Sequence, residues 1–146
     1  MCIRDRSQAG VTVDLIVRGI CCLRPGLEGV SENITVRSIV GRFLEHERVF
    51  YFQNSDAEPK VYLSSADLMP RNLRNRIEQC TPILNEKIKE RIINDLELYL
   101  KDNSGAWLMQ ENGEYILSIP CIQSDESESS NIDAQQVLLN ELAESF

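Results

Sequence analysis

The spacing of apolar residues changes along this chain, and no other feature of the sequence constrains the fold as strongly. Near the start, every second residue of one segment is apolar: Val11, Val13, Leu15 and Val17. This spacing predicts a β-strand that ends at Arg18-Gly19. After Asn85, every fourth residue is apolar: Ile88, Ile92, Leu96 and Leu100. This spacing predicts an amphipathic helix that is capped by Asn85 and ends near residues 101–105. The chain therefore needs an architecture that holds both strands and helices.

Turn-forming residues divide the rest of the chain into further short elements. Strands are predicted at residues 34–44, 48–52, 61–63 and 76–80, the first running into a short turn or helix and the last broken by Pro82. Residues 67–72 are predicted as a loop or one helical turn. A hairpin is predicted around Asn112-Gly113, and a short helix at 134–142. The predicted fold class is α/β, with a mixed β-sheet flanked by helices.

Length and composition exclude several classes of protein. The chain has 146 residues, about one domain, and an ordinary hydrophobic content of 42%. No stretch approaches the roughly 20 apolar residues that a transmembrane helix needs. The five cysteines are odd in number and lack the spacing of a metal site, so no metal site is predicted. Without a secretory signal, reduced thiols in a cytoplasmic protein are predicted, with membrane association left open.

The net charge of −8 is distributed unevenly between the two parts of the chain. Residues 1–82 hold 11 Lys/Arg against 10 Asp/Glu, whereas residues 83–146 hold 4 against 13. Ten of the 11 basic residues in the first part are arginine. Because arginine makes planar, two-pronged contacts with phosphate oxygens, this bias favours a phosphate-binding surface, although a compositional bias of the genome explains it as well.

Two side chains are candidates for that chemistry by position. Arg18 stands at the end of a predicted strand, where ligands gather in α/β sheets, although such an arginine is more often a salt-bridge partner. His46 is the one histidine of the chain and is followed by Arg48 and, further on, by Ser64-Ser65-Ala66-Asp67. An imidazole beside guanidinium groups and hydroxyls can stabilise or protonate a transferring phosphoryl group. A lone histidine is more often a surface or satisfied core residue.

The same region of the chain resembles a known family in the residues of its motifs, in their order and in their spacing. The segments are DLIVRGIC at 14–21, LRPG at 23–26, SENI at 31–34, VRSIVGRFLEH at 36–46, VYLSSAD at 61–67 and MPRNL at 69–73. They resemble the last domain of polyphosphate kinases of the long, histidine-phosphorylating type. The resemblance implies a phospholipase D-like fold, in which two similar α/β halves each give a histidine to one shared site.

The resemblance also implies roles for particular residues. His46-Glu47-Arg48 and Ser64-Ser65-Ala66-Asp67 match this half's version of two superfamily motifs, with Arg48 replacing a lysine as in the kinase family. Arg18 matches the arginine that contacts the nucleotide phosphates, and His46 matches the second histidine of the site. Leu68 departs from the family, which shows tryptophan there, and this puts local packing in doubt.

In that family, ATP gives its γ-phosphate reversibly to a histidine, from which the phosphoryl group passes to polyphosphate. The resemblance places the phosphorylated histidine, the Mg²⁺ ligands and the adenine contacts in domains that this sequence does not contain. ATP, ADP and polyphosphate are thus the expected ligands, and the remaining domains and a homo-oligomer the expected partners. Nucleic acid is not expected. The fragment alone is expected to be inactive.

Phosphoryl transfer depends on positioning and on compensation of spread negative charge, and the sequence offers several arginines for this. The candidate phosphate-binding residues, besides His46, are Arg18, Arg37, Arg42, Arg48 and Arg71, with Arg76 a further source of positive charge. A polyanion such as polyphosphate gains affinity from such a surface by counterion release.

Three alternatives remain open on the residues alone. A phospholipase D-like hydrolase or nuclease half would show lysine in place of Arg48 and a Gly-Ser pair in place of Ser64-Ser65. A non-catalytic domain that binds polyanions would retain its ligand without nucleotide dependence. The third is an α/β domain of unrelated role.

The predicted organisation has three parts. Residues 1–7 are predicted to be a non-native start, because MCIRDRS is typical of sequencing-adapter read-through. Residues 8–122 are predicted to be the C-terminal catalytic domain of a polyphosphate kinase. Residues 123–146 are predicted to be an acidic, flexible tail with a short terminal helix, because the Ser/Asp/Glu run at 123–133 buries too little apolar area. The tail is therefore expected to be dispensable for catalysis.

Overall fold

The computed structural model describes residues 3–54, 57–118 and 131–144. The elements in chain order are α1 Ile3–Gln8, β1 Val13–Ile16, β2 Ile34–Ile39, β3 Val49–Phe52, β4 Lys60–Ser64, α2 Pro70–Asn75, β5 Cys80–Pro82, α3 Glu86–Lys101, β6 Ala106–Met109, β7 Tyr115–Leu117 and α4 Ala134–Glu144. They form two compact units. The first unit comprises Met1–Leu44 and Leu98–Phe146, and the second unit comprises Glu45–Glu97.

The first unit contains a mixed sheet, whose described strands lie in the order β1-β2-β6-β7. β1 and β2 are parallel, with Val13 opposite Ile34. β2 and β6 are antiparallel, and so are β6 and β7. Alternate residues of the central strand β2 point into the core, so that Ile34 and Val36 are each 2% exposed and pack with Met109.

The second unit contains an antiparallel sheet in the order β3-β4-β5. Val49 of β3 lies opposite Leu63 of β4, and Tyr62 of β4 lies opposite Pro82 of β5. Val61 on the central strand is 1% exposed. The register places the first residues of β3 beside the last residues of β4. Candidate site residues lie at both of these strand ends.

The predicted α/β class is confirmed, and so are the elements with the clearest periodicity. The helix expected after Asn85 is α3, and the Asn85 carboxamide caps it by accepting a hydrogen bond from the amide of Ile88 at 3.1 Å. The hairpin around Asn112-Gly113 and the terminal helix are present as β6–β7 and α4. The strands are divided between two sheets, whereas the sequence predicted one.

Two boundaries in the second unit differ from the prediction. The strand expected at 76–80 is wrong, because β5 comprises Cys80–Pro82 and includes the proline. Proline has no amide hydrogen, so it is tolerated at the end of a strand at the sheet edge. The segment expected to be a loop or one turn at 67–72 instead starts a helix at Pro70, whose fixed φ suits the first helical position.

Residues Ile3–Gln8 form the helix α1. Ser7 in α1 is fully buried, its hydroxyl accepts a hydrogen bond from the amide of Asn33 at 3.0 Å, and its carbonyl accepts one from the Asn33 side chain at 2.9 Å. These contacts attach α1 to the first unit. They do not test whether residues 1–7 are native, which stays a prediction. Of the acidic run at 123–133, residues 123–130 lie outside the described residues.

Within the described ranges, no helix combines the length and the apolar character needed to cross a bilayer. Cys21, Cys22 and Cys80 are free thiols.

The hydroxyl of Tyr115 on β7 provides a test of packing in the first unit. It is buried with no hydrogen-bond partner among the described residues. Burial, and secondarily the nearby Cys21, raise the pKa of Tyr115. Because an unpaired buried hydroxyl is costly, Tyr115→Phe should raise the free energy of unfolding by about 0.5–1 kcal/mol at pH 7, measured by urea denaturation.

The same variant should change the response to alkali. A folded-state pKa above the unfolded value of about 10 means that the wild type loses stability as the pH rises past 10. Tyr115→Phe should lack this part of the loss. A lower unfolding free energy for the variant at pH 7 would show that the hydroxyl has a stabilising partner.

Candidate functional site

His46 and Arg48 lie at the start of β3, and the sheet brings them beside the end of β4. The amide of Ser64 donates to the carbonyl of Arg48 at 2.8 Å, which continues the β3–β4 ladder by one step. The segment Ser64-Ser65-Ala66-Asp67 therefore begins directly opposite Arg48. Antiparallel pairing thus joins two motifs that lie 16 or more residues apart in the sequence.

Arg48 is the central side chain of this group. Its Nε donates to Oδ1 of Asp67 at 3.0 Å, in a pair whose side chains are 18% and 26% exposed. Its Nη1 donates to the carbonyl of His46 at 2.9 Å. Bonds to a carboxylate and a carbonyl fix the plane of the guanidinium, because its donors form a rigid fork.

The same Nη1 also contacts the imidazole of His46, at 3.0 Å from Nδ1 and 3.3 Å from Nε2. A donor lying in the ring plane and bonded to one nitrogen would be much farther from the other. Arg48 therefore lies against the face of the ring, as guanidinium groups do on aromatic side chains. Because His46 is exposed, the in-plane positions of its ring nitrogens can meet an external oxygen.

Asp67 is held from its other side by α2. Asn72, only 2% exposed, places its side-chain amide 3.4 Å from Oδ2 of Asp67. The amide of Met69 donates to the carbonyl of Asp67 at 2.7 Å, so the backbone turns tightly into the helix. Leu68, the residue at which the sequence departs from the family, lies at this turn and is 63% exposed.

The two serines of the motif are engaged in local structure. The Ser64 hydroxyl accepts from the amide of Ala66 at 3.1 Å. The Ser65 hydroxyl donates to the carboxylate of Glu78 and accepts from the amide of Gln79 at 3.0 Å. These bonds hold the β4–α2 turn in place. The motif as a set is therefore brought together, with Asp67 facing Arg48 and the hydroxyls supporting the turn.

In the first unit, Arg18 and Arg42 follow the ends of the parallel strands β1 and β2. Neighbouring parallel strands have their C-terminal ends on the same side of a sheet, so the two arginines lie on that side. Both are exposed. The Arg42 guanidinium lies 5.4 Å from the centre of the Phe43 ring and forms no ion pair with the residues that the structure describes.

Arg37 is engaged in a different way. Its Nη1 donates to the carbonyls of Tyr99 at 3.1 Å and Leu100 at 2.5 Å, which are in the last turn of α3. Burial lowers the pKa of Arg37, while Asp14 and Asp102 oppose the shift. A cation at a helix C-terminus satisfies carbonyls that lack intrahelical partners. The structure therefore gives Arg37 a capping role that the sequence did not predict.

Arg71 lies on α2 in the second unit and is exposed. Across the described part of the chain, no three His, Cys, Asp or Glu side chains come together in a way that could hold a metal ion. The ring of His46 contacts the guanidinium of Arg48, which is itself paired with Asp67. This donor set suits an anion better than a divalent cation.

Sequence reasoning missed two buried polar residues of the first unit. Asp102 is 3% exposed, and Gln135 is 7% exposed. The Asp-Asn-Ser-Gly run after α3 is typical of a side-chain-stabilised turn, so Asp102 could have been found from its spacing. Gln135 offered no local signal, since its partners lie 92 residues away in the chain.

Fold and site together define a phospholipase D-like α/β domain, with an exposed histidine held by an arginine–aspartate pair. The chain belongs to the family described as polyphosphate kinase C-terminal domain 2, whose model matches residues 2–135.

Individual relatives agree with this assignment. The chain is 58% identical to a polyphosphate kinase of Pseudomonas putida over 114 residues, which are 78% of this chain and 16% of that protein. It is 52% identical to one of Prochlorococcus marinus over 136 residues, covering 93% of this chain and 18% of the relative. The crystal structure of polyphosphate kinase from Porphyromonas gingivalis matches with a TM-score of 0.87 at 39% identity, over 98% of this chain and 21% of that one. The chain thus spans about a fifth or less of the length of these relatives.

The pairing of Arg48 with Asp67 gives a prediction about stability. Asp67→Ala removes the carboxylate from a half-buried guanidinium and should lower the free energy of unfolding by about 1.5–3 kcal/mol in urea denaturation. Asp95→Ala is the matched control, because Asp95 pairs with Arg91 at 2.8 Å on α3, where the two side chains are 32% and 46% exposed. The control should cost no more than about 0.5 kcal/mol. Equal losses in the two variants would contradict a special role for the Arg48–Asp67 pair.

Proposed function

We propose that the chain acts as the C-terminal part of an ATP–polyphosphate phosphotransferase. In this enzyme the γ-phosphate of ATP passes reversibly to polyphosphate through a phosphohistidine in another part of the protein. The observation that carries the proposal is the exposed imidazole of His46, held against Arg48 in a domain of this family. The 146 residues supply the second histidine and arginines, and the chain alone is expected to be inactive.

His46 is assigned the role of stabilising charge or donating a proton to the phosphoryl group as it transfers. The transition state of phosphoryl transfer spreads negative charge over the equatorial oxygens, so that catalysis depends on positioned cations and donors. An exposed ring with a guanidinium on its face can offer an N–H to one of these oxygens. Arg48 then has two functions: it fixes the ring and brings a positive charge close to the oxygen that the ring contacts.

Asp67 is assigned to Arg48 and not to the substrate. Its carboxylate lies 3.0 Å from Nε of Arg48 and is supported by Asn72. A carboxylate so placed would repel a phosphate unless its charge were compensated, and the guanidinium provides that compensation. The net effect of the pair near the substrate is thus orientation with little added negative charge.

Arg18, Arg42 and Arg71 are assigned to phosphate contacts, since all three are exposed. Arg37 is left out of the proposed set, because its guanidinium already binds the last carbonyls of α3. Polyphosphate carries a dense row of charges, so exposed arginines would bind it partly by release of counterions. Binding of the chain should accordingly weaken with salt.

Mg²⁺ is expected for the whole enzyme, where it compensates the charge of the nucleotide phosphates. None of its ligands is assigned to this chain, and no step is derived through it. ATP or ADP, polyphosphate, the rest of the polypeptide and further copies of the enzyme are the proposed partners. A cytoplasmic location is proposed with them, supported by the free thiols of Cys21, Cys22 and Cys80.

The experiments use a chimeric enzyme. In it, the segment of the Prochlorococcus marinus polyphosphate kinase that matches this chain is replaced by the chain itself. In the chimeric enzyme, His46→Ala should lower kcat for polyphosphate synthesis by about 10²- to 10⁴-fold, the range for acid–base groups, while the KM for ATP changes less than about threefold.

Glu47→Ala is the matched control for His46, because Glu47 is its exposed neighbour. This control should keep near wild-type kcat. If the His46→Ala enzyme turns over like the control, His46 is an ordinary surface residue. Polyphosphate bound without any nucleotide-dependent turnover in the unsubstituted chimera would instead favour a polyanion-binding domain.

Arg18→Ala tests the nucleotide contact separately. A lost phosphate contact weakens the ground state as well as the transition state, so the KM for ATP should rise by about tenfold in steady-state assays of the chimera. Arg74→Ala, which removes an exposed arginine of α2, should leave this KM within about twofold. If the two substitutions raise the KM equally, the effect is one of general charge and the assignment of Arg18 is wrong.

A further inference from the structure

The loop that follows β2 is held at Phe43 by a side chain from the C-terminal part of the chain. The amide of Phe43 donates to Oε1 of Gln135 at 2.9 Å, and Nε2 of Gln135 donates to the carbonyl of Phe43 at 2.8 Å. The Gln135 carboxamide therefore satisfies both backbone polar groups of Phe43. Since Gln135 is 7% exposed, this two-point contact is largely shielded from water.

The start of α4, which carries Gln135, is itself fixed. Oδ2 of Asp102 accepts from the amide of Ala134 at 2.8 Å, and Oδ1 accepts from the amides of Ser104, Gly105 and Ala106. Asn103 pairs with Ile132 through two hydrogen bonds, at 3.1 and 2.7 Å. Ala134 is fully buried. The first turn of α4 is thus anchored to the turn that enters β6, and Gln135 has a rigid base.

The loop at Phe43 is shaped to accept Gln135. A Cβ atom at Gly41 would overlap the Gln135 carboxamide, so glycine permits the close approach. Between Gly41 and Phe43 lies Arg42, whose guanidinium lies over the Phe43 ring at 5.4 Å from its centre. Gln135 fixes the backbone of Phe43, and the Phe43 ring in turn supports the Arg42 guanidinium.

We propose that Gln135 is a positioning residue for polyphosphate binding, and that it acts through Phe43 to hold Arg42 in its binding orientation. The inference rests on the proposed function, in which Arg42 contacts phosphate. It gives the terminal helix a part in the site, whereas the acidic composition of residues 123–146 predicted a dispensable tail. Without Gln135, Phe43 would no longer hold Arg42 in the orientation that meets the phosphate, so one phosphate contact should be lost from the ground-state complex.

The test is a double-mutant cycle in the chimeric enzyme. Gln135→Ala should raise the KM for polyphosphate by about threefold to tenfold, with kcat within about twofold of wild type. The dependence of log KM on log salt concentration should fall by somewhat less than one unit of slope, as expected for one lost phosphate contact. A residue that only stabilises the fold would not change this slope.

Further variants separate the possible causes. Gln136→Ala is the matched control, because Gln136 is the exposed neighbour in α4 and its side chain donates to Asn140 within the same helix at 2.8 Å. It should leave the KM and the salt slope unchanged. In the Arg42→Ala background, Gln135→Ala should add no further increase in KM. If Gln135→Ala lacks a native melting transition, Gln135→Glu replaces it, since glutamate keeps the size and the acceptor but not the donor.

The outcomes distinguish the inference from the function on which it rests. An Arg42→Ala enzyme with normal KM for polyphosphate overturns the assignment of Arg42, and the inference with it. If Arg42→Ala raises the KM and Gln135→Ala multiplies it by the same factor with and without Arg42, the proposed function stands and the positioning role of Gln135 is wrong. A Gln135 effect that disappears in the Arg42→Ala background supports the inference.

Discussion

The guanidinium of Arg48, held between Asp67 and His46, is the interaction on which the candidate site depends. It joins the start of β3 to the turn after β4. It also covers one face of the imidazole and leaves the in-plane positions of the ring nitrogens to a substrate. Arginine fits this position better than lysine because its planar fork can bond a carboxylate and a carbonyl while its face lies on a ring. Removing the guanidinium would leave the imidazole without the group that lies on its face and Asp67 without its cationic partner.

Buried polar side chains perform a related task in the first unit. Asp102 binds backbone amides on both sides of a turn, Arg37 binds the last carbonyls of α3, and Gln135 binds the backbone of Phe43. Each of them satisfies main-chain groups that regular secondary structure leaves unpaired. The sheet edge with Arg18 and Arg42 therefore rests on a framework of side-chain-to-backbone bonds as well as on the apolar core around Val36.

Local pattern was sufficient for the parts of the fold in which one face of one element is buried. The alternation before Arg18 gave β1, the four-residue spacing after Asn85 gave α3, and Asn112-Gly113 gave the hairpin. The division into two sheets could not be predicted in this way, because strand pairing is decided by contacts between distant segments. The resemblance of the motifs identified His46, Arg48 and Asp67 as a set. The capping by Arg37 and the contact of Gln135 with Phe43 left no local signal, because both join distant segments.

The central claim is that His46 assists phosphoryl transfer without carrying the phosphoryl group. It is tested most directly by quenching the chimeric enzyme with alkali during turnover of radiolabelled ATP and mapping the acid-labile phosphate to peptides by mass spectrometry. The account predicts phosphohistidine in a peptide from outside this chain and none in the peptide that contains His46. Phosphate on His46 that forms and disappears at the rate of turnover would contradict it.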